Sequence, residues 1–379
     1  MALVLSEEQE LLRQTARELI QSRAPVAALR ALRDKDSPDG FSRELWRELA
    51  ELGWCGITVP EELGGAGLGQ LELGILLEEC GRTLAATPLV STVLLGANAL
   101  LLGGSEAQQK DELPAIARGE RILALALQEG VRHAPYQVAL RAERAAGGFA
   151  LRGEKRFVQD GHVADRIVVA ARAAGAPGER GGLALFLVDA RAPGLRALKT
   201  ELVDARNAAQ LRFDGVQVPA SAALGEVGKG AEILDPLLDR AAAGQAAELL
   251  GLAQAAFERT LDYLKTRVQF GVPIGSFQAL KHRAAQLYVA LELTRSAVLE
   301  ALQALDEGSA RAPQLASAAK ALASDTAARV CNEAVQMHGG IGVTDEEDIG
   351  LYLKRARVAQ RSFGDASFHR DRHAALSGY

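Results

Sequence analysis

Helical periodicity runs from about Ala231 almost to Tyr379 and breaks conspicuously at two places. One is RVQFGVPIGSFQ, Arg267–Gln278, and the other is QMHGGIG, Gln336–Gly342. Apolar faces repeated over such a length must cover one another. The pattern therefore predicts helices over Ala231–Val268, Phe277–Glu307, Pro313–Gly339 and Ile349–Ser377, packed as a four-helix bundle. Pro273 and Pro313 stand where helix boundaries are expected.

The first 120 residues also read as helical. Leu11, Leu12, Ala16, Leu19 and Ile20 recur at helical spacing behind a start at Ser6, and Glu44–Leu52 and Leu71–Arg82 continue the pattern. Between them lies PEELGGAGLG, Pro60–Gly69, too rich in glycine for regular structure. It reads equally as a tight connector or as a loop against a flat ligand. Near Arg121 the texture changes. Ile122–Leu127, Val138–Glu143, Phe149–Arg152, Ile167–Ala170 and Leu183–Val188 have strand composition, Leu211, Phe213, Val216 and Val218 alternate, and glycine pairs punctuate. At 379 residues the chain exceeds one ordinary core. The expected fold is α+β and multidomain: helical over 1–120, β over 121–230, and a helical bundle over 231–379.

Composition narrows the function by exclusion. A net charge of −5 with no long basic run argues against nucleic-acid binding. The longest apolar stretch, Leu89–Leu102, is interrupted by Ser91, Thr92 and Asn98 and is too short to span a bilayer. Cys55, Cys80 and Cys331 form no CxxC, and the N-terminus does not read as a targeting segment. A cytoplasmic home is expected.

Chemistry concentrates at the two helix breaks. The Arg267 guanidinium has the two parallel donors that clamp phosphate oxygens. Gln269 and Gln278 can read polar edges of a ribose or base, and Phe270 offers a flat apolar wall. Gly271 and Pro273 turn the chain so that the next helix starts with free amides near Phe277, a setting that suits an anion. Gly339, Gly340 and Gly342 end a helix, as glycines commonly do, and also let a backbone approach a pyrophosphate. Each segment alone fits an ordinary corner. Together they read as two halves of a grip on a dinucleotide phosphate.

PEELGGAGLG (60–69), GEKRFV (153–158), YLKTRVQFGVPIGSFQALKHR (263–283) and QMHGGIG (336–342), in this helical–β–helical order, resemble the acyl-CoA dehydrogenase family of flavoproteins across essentially the whole chain. The resemblance implies FAD, with Arg267, Gln269, Phe270, Gln278, Gln336, Gly339 and Gly340 on its adenosine and pyrophosphate end, mainly in a neighbouring subunit. It implies an oligomer, usually a dimer of dimers, of identical or related chains. It places Phe157 and Val158 where the family packs an aromatic residue on the flavin ring, and Gln128 where a side chain bonds that ring. The substrate implied is an acyl-CoA thioester that loses an α-proton to a carboxylate and a β-hydride to flavin. Electrons then pass to electron-transfer flavoprotein or another acceptor.

The carboxylate is where this sequence departs from the family. One family position for it falls on Phe363, and the alternative position, counted back from Arg267, falls on Ala241. Asp239 is the nearest substitute, with Arg240 beside it for a CoA or acyl contact. Asp365, two residues beyond Phe363, would point away on a helix. Glu346, Glu347 and Asp348 read as a solvated helix start. His338 fits a phosphate contact or a packed helix end, and Cys331 fits the core. His369 and His373 have metal-type spacing but no evident third ligand, so no metal is expected. The run HGGIGVTDEEDIGLYLKRAR resembles non-catalytic-type chains of mixed acyl-CoA dehydrogenases for steroid side chains and other bulky acyl groups. The expected activity is FAD-dependent α,β-dehydrogenation of an acyl-CoA, by this chain alone or as one subunit of a heteromer. A flavin monooxygenase or oxidase is the alternative.

Overall fold

The computed structural model describes residues 4–379. Helices come first: α1 (Glu7–Arg23), α2 (Val26–Asp34), α3 (Arg43–Glu51), α4 (Gln70–Thr83), α5 (Asn98–Gly103) and α6 (Glu106–Ala117), with a π-helix at Leu89–Ala97 leading into α5. Strands follow: β1 (Leu123–Ala126), β2 (Arg141–Ala145), β3 (Gly148–Gln159), β4 (Arg166–Arg172), β5 (Leu183–Asp189), β6 (Leu195–Glu201), β7 (Asn207–Pro219) and β8 (Ala223–Gly228). Helix α7 (Ala231–Thr266) leads to a small hairpin, β9 (Val268–Gln269) and β10 (Val272–Pro273). Then come α8 (Gln278–Asp306), α9 (Ala312–His338), α10 (Ile349–Ala359) and α11 (Ala366–Leu376). The helical, sheet, helical order is the one expected. The chain groups into two compact units. One holds the residues up to Ala31 together with Gln70–Ala85 and Ala242–Tyr379, and the other holds Leu32–Gly69 and Ala86–Ala241.

In the first unit α1 starts at a capping box. The Ser6 hydroxyl accepts from the Gln9 amide, and the Gln9 side chain accepts from the Ser6 amide. Its buried stripe is narrower than the periodicity suggests, because only Ala16 and Ile20 are buried and Leu11 stays exposed. Helices α4 and α7 cross at glycines. A Cβ on Gly81 would lie 2.3 Å from the Glu248 carbonyl oxygen, and one on Gly251 would lie 1.8 Å from that of Glu78. This backbone-to-backbone approach carries Glu78, Glu79 and Glu248 inside, where each meets an arginine. Arg295 reaches Glu78 at 2.9 Å, Arg17 reaches Glu79 at 2.8 Å, and Arg355 reaches Glu248 at 3.5 Å. Burial still lifts the Glu78 carboxyl above its usual range, against the pull of Arg295.

The predicted fourth bundle helix, Ile349–Ser377, is two helices. The chain leaves α10 at Gln360, passes through Phe363 and Gly364 at φ +59° and +108°, and re-enters helix behind Asp365. Apolar spacing continues across the break, which is why periodicity does not reveal it. Asp365 accepts from the Phe368 amide as the N-cap of α11.

In the second unit the strands form one mixed sheet in the order β6-β7-β3-β2-β4-β5-β8, with β1 parallel to β4. Leu140, Leu151, Val158, Ile167, Phe186, Leu211 and Phe213 sit in its core. Strand β6 carries mostly polar, partly exposed residues, and β8 is short with two glycines, so composition does not mark either as a strand. Leu89–Leu102 is buried inside this unit as the π-helix and most of α5. No helix among the described residues is long and apolar enough to cross a membrane.

Candidate functional site

The two helix breaks lie at one end of the bundle. Tyr263, in the last turn of α7, stacks on His338, the last residue of α9, with ring centroids 4.5 Å apart and planes 22° from parallel. His338 is buried, and its Nδ1 lies 2.8 Å from the Ala334 carbonyl, so it is a packed helix end. From this stack the chain runs into β9 and β10, which pair antiparallel around Phe270 and Gly271. Both turn residues have positive φ, +55° and +79°, as a two-residue hairpin with strand-like twist requires. The turn holds the Phe270 ring 91% exposed, edge-on to Phe277 at 6.0 Å. Helix α8 then begins with no side chain capping it. Arg267, Gln269, Gln278 and Gln336 are exposed on the same unit. Gly339 turns at φ +67°, and neither it nor Gly340 has any atom within 4 Å of where a Cβ would stand. Uncapped amides, an exposed guanidinium, an exposed aromatic face and an open glycine backbone are the donor set a dinucleotide phosphate needs. These residues fit FAD.

The sheet unit supplies the other predicted contacts. Register between β3 and β7 jumps from Lys155↔Leu211 to Val158↔Ala209, so Arg156 and Phe157 bulge out. Phe157 is 49% exposed, whereas the Val158 side chain is enclosed in the sheet core. The Arg156 amide donates to the Gln128 carbonyl at 2.7 Å. The Gln128 side-chain amide donates to the carbonyls of Gly130 at 2.8 Å and Arg132 at 2.5 Å, so its two hydrogens fold the loop. Among the described residues, seven non-glycine residues have positive φ, and three of them are Phe157, Phe270 and Phe363. An aromatic residue in that region is strained, and such strain concentrates at functional sites. Sequence gives no signal for it.

The Phe363 turn is gripped from two helices. Buried Lys320 of α9 donates to the carbonyls of Gly364 at 2.9 Å and Gln360 at 3.1 Å, and to Ser324 Oγ at 3.1 Å. His369 of α11 lies with Nε2 2.9 Å from the Phe363 carbonyl. A carbonyl only accepts, so Nε2 carries the proton and Nδ1 faces Ser317 Oγ at 3.3 Å. His373 contacts the Gln314 carbonyl, and the described residues contain no cluster that would hold a metal. No residue pattern in the sequence points to Lys320 or to this use of His369, beyond Lys320 being a lone lysine in the alanine-rich run Ala316–Ala323.

Burial pushes the Lys320 ammonium down to about 7 and the Lys155 ammonium, despite its Glu129 partner, down to about 8. Between those values and the ordinary 10.5, the unfolded chain holds protons that the folded chain gives up. Folding therefore strengthens as pH rises through that window and weakens as it falls. K320M removes one such group. From pH 7 to pH 9, chemical denaturation should show wild type gaining about 2 kcal/mol relative to K320M.

Asp239 is buried near the start of α7, and its neighbour Arg240 donates through Nη1 to Asn98 Oδ1 at 2.7 Å. Asn98, fully buried, in turn donates to the Leu94 carbonyl of the π-helix at 3.0 Å. Ala241 is fully buried. The acidic run after the glycine turn is more than a solvated helix start. Glu347 pairs with Arg259, and Asp348 pairs with Arg30 at 2.7 Å and with Arg259 at 3.4 Å. Cys331 is buried, and burial raises its thiol to about 12, as befits a core residue.

Three family models match the chain: the N-terminal domain of acyl-CoA dehydrogenase over residues 6–120, its middle domain over 128–216, and its C-terminal domain over 228–376. Mitochondrial isovaleryl-CoA dehydrogenase of Pongo abelii is 33% identical over 377 residues, covering 97% of this chain and 88% of that protein. Among solved structures, the Tcur3481–Tcur3483 steroid ACAD superposes with a TM-score of 0.87 at 35% identity over 98% of both chains. The ChsE4–ChsE5 complex from Mycobacterium tuberculosis superposes with a TM-score of 0.90 at 28% identity over 100% of both chains.

Proposed function

The chain belongs to the acyl-CoA dehydrogenase family, and from that premise we propose that it is one subunit of a heteromeric, FAD-dependent acyl-CoA dehydrogenase. The observation that carries this reading is an asymmetry. The phosphate corner is fully furnished and exposed, while both positions for the proton-accepting carboxylate, Phe363 and Ala241, carry side chains that cannot take a proton. Groups that serve a neighbour are kept, and the group that serves the chain's own reaction is gone. Two of the similar structures, the ChsE4–ChsE5 complex and the Tcur3481–Tcur3483 enzyme, are themselves named as pairs.

FAD, when bound, accepts the β-hydride of the acyl group. Arg267 clamps the pyrophosphate, helped by the open backbone at Gly339 and Gly340 and the uncapped start of α8. Gln269, Gln278 and Gln336 bond the adenosine end, and Phe270 covers it. Phe157 packs on the flavin ring, with Gln128 and the Val158 main chain beside it. The related subunit brings the carboxylate that takes the α-proton. We assign the helical, β and bundle domains to 1–120, 121–230 and 231–379, a cytoplasmic location, and electron-transfer flavoprotein as the electron acceptor.

A second reading rests on Asp239. It is a buried carboxylate two residues before Ala241, and in a self-sufficient chain it would be the base, with Arg240 contacting the substrate. Anaerobic bleaching of flavin by a panel of acyl-CoA thioesters separates the two. The heteromer requires that bleaching appear only when the chain is combined with a related, glutamate-bearing chain encoded nearby. Full activity of the purified single chain, lost in D239N, overturns the heteromer in favour of Asp239.

A further inference from the structure

We propose that the ion pair between buried Lys155 and partly buried Glu129 is the positioning device for the flavin-ring face of the sheet unit, setting the Gln128 segment in register with the strained Phe157 bulge. The inference rests on the flavin assignment above. Lys155 is fully buried in the middle of β3, where alternation calls for an apolar residue. Its Nζ lies 2.7 Å from Glu129 Oε1 and 3.1 Å from the Leu127 carbonyl. Glu129 also accepts from the Ala139 amide at 2.7 Å and the Leu140 amide at 3.0 Å. One carboxylate thus closes the segment from Glu129 to Leu140, and one ammonium fastens that closed loop to β3. The next residue, Arg156, adds the bond from its amide to the Gln128 carbonyl. Residues 127–129 are therefore tied at three points to residues 155–156, immediately before Phe157 turns to φ +53°.

Stability alone does not ask for this arrangement. A buried ion pair is often matched or bettered by apolar residues of similar volume. What charge and direction add is a fixed register, and a strained residue persists only where its surroundings over-determine it. The pair supplies that constraint beside the two segments that meet the ring.

The test is the double variant E129M/K155M, which removes both charges together and so leaves neither unpaired. It should fold with a thermal midpoint within a few degrees of wild type. In the flavin-loaded protein it should bind FAD about tenfold more weakly and lose the wild-type band shape and visible circular dichroism of the flavin, and F157A should reproduce the spectral change. In flavin-free protein, hydrogen exchange should quicken at residues 128–140 and 156–158 and stay unchanged elsewhere in the sheet. A folded double variant with wild-type flavin spectra, affinity and exchange overturns the proposal. Should E129M/K155M not fold, the single variant E129Q decides by the same readouts. Wild-type protein that takes up no FAD, alone or with its partner, instead overturns the flavin assignment, and that control separates the two failures.

Discussion

Glutamate at position 363 is expected to give the isolated chain the proton acceptor it lacks. F363E, loaded with FAD and mixed anaerobically with an acyl-CoA its assembly uses, should bleach the flavin about 10²–10⁴ times faster than the wild-type single chain. The range is what a positioned general base contributes. The turn is held through main-chain carbonyls, those of Gln360 and Gly364 by Lys320 and that of Phe363 by His369. None of these bonds involves the Phe363 side chain, so the substitution leaves the clamp intact. The strain is already present in the wild type, since position 363 stands at φ +59° with phenylalanine. F363Q keeps the shape without the acid and should stay at the wild-type rate. Stopped-flow absorbance on the single chain measures all three. A folded, flavin-loaded F363E no faster than F363Q would show that more than the base is missing from this chain's own acyl site.

The same turn is the part of the bundle that residue patterns do not reveal. The RVQFGVPIGSFQ and QMHGGIG segments are legible because their residue types are unusual for a plain helix corner; in the structure Phe270, Gly339 and Gly340 are open, whereas Gly342 packs against the Val335 carbonyl. The helical, β, helical order was legible because apolar periodicity changes near Arg121 and Ala231. The break at Phe363 was not, since apolar residues keep helical spacing on both sides while the backbone reverses sign of φ at one aromatic residue. Lys320, the Glu129–Lys155 pair and the Tyr263–His338 stack were missed for a different reason. Each joins residues distant in sequence, and a buried lysine cannot be told from a surface one until its partner is known. Arg240 is a further case. The resemblance gives it as a CoA or acyl contact, and its bond to Asn98, far off in the chain, is one that spacing does not reveal.

Alanine at Gly251 is expected to be among the most destabilising single-methyl changes in the chain. Its Cβ would stand 1.8 Å from the Glu78 carbonyl oxygen, 2.7 Å from the carbonyl carbon and 3.0 Å from Cα. All three are backbone atoms of α4, so no rotamer change relieves the overlap and the helices must separate. Overpacking of this kind costs about 3 kcal/mol, or roughly 4 °C in thermal midpoint for a chain of this length. Separation also loosens the enclosure of Glu78, Glu79 and Glu248, whose arginine pairs depend on it. G81A meets the Glu248 carbonyl oxygen at 2.3 Å and should cost somewhat less. Because one displacement of α4 from α7 accommodates both methyl groups, G81A/G251A should fall short of the sum of the single losses. Gly350 in α10 is the control: a Cβ there meets nothing within 4 Å, so G350A should be neutral or stabilising by about 0.5–1 kcal/mol. Thermal unfolding of the four variants gives the answer directly, and a G251A midpoint equal to that of G350A would mean that α4 and α7 cross without touching.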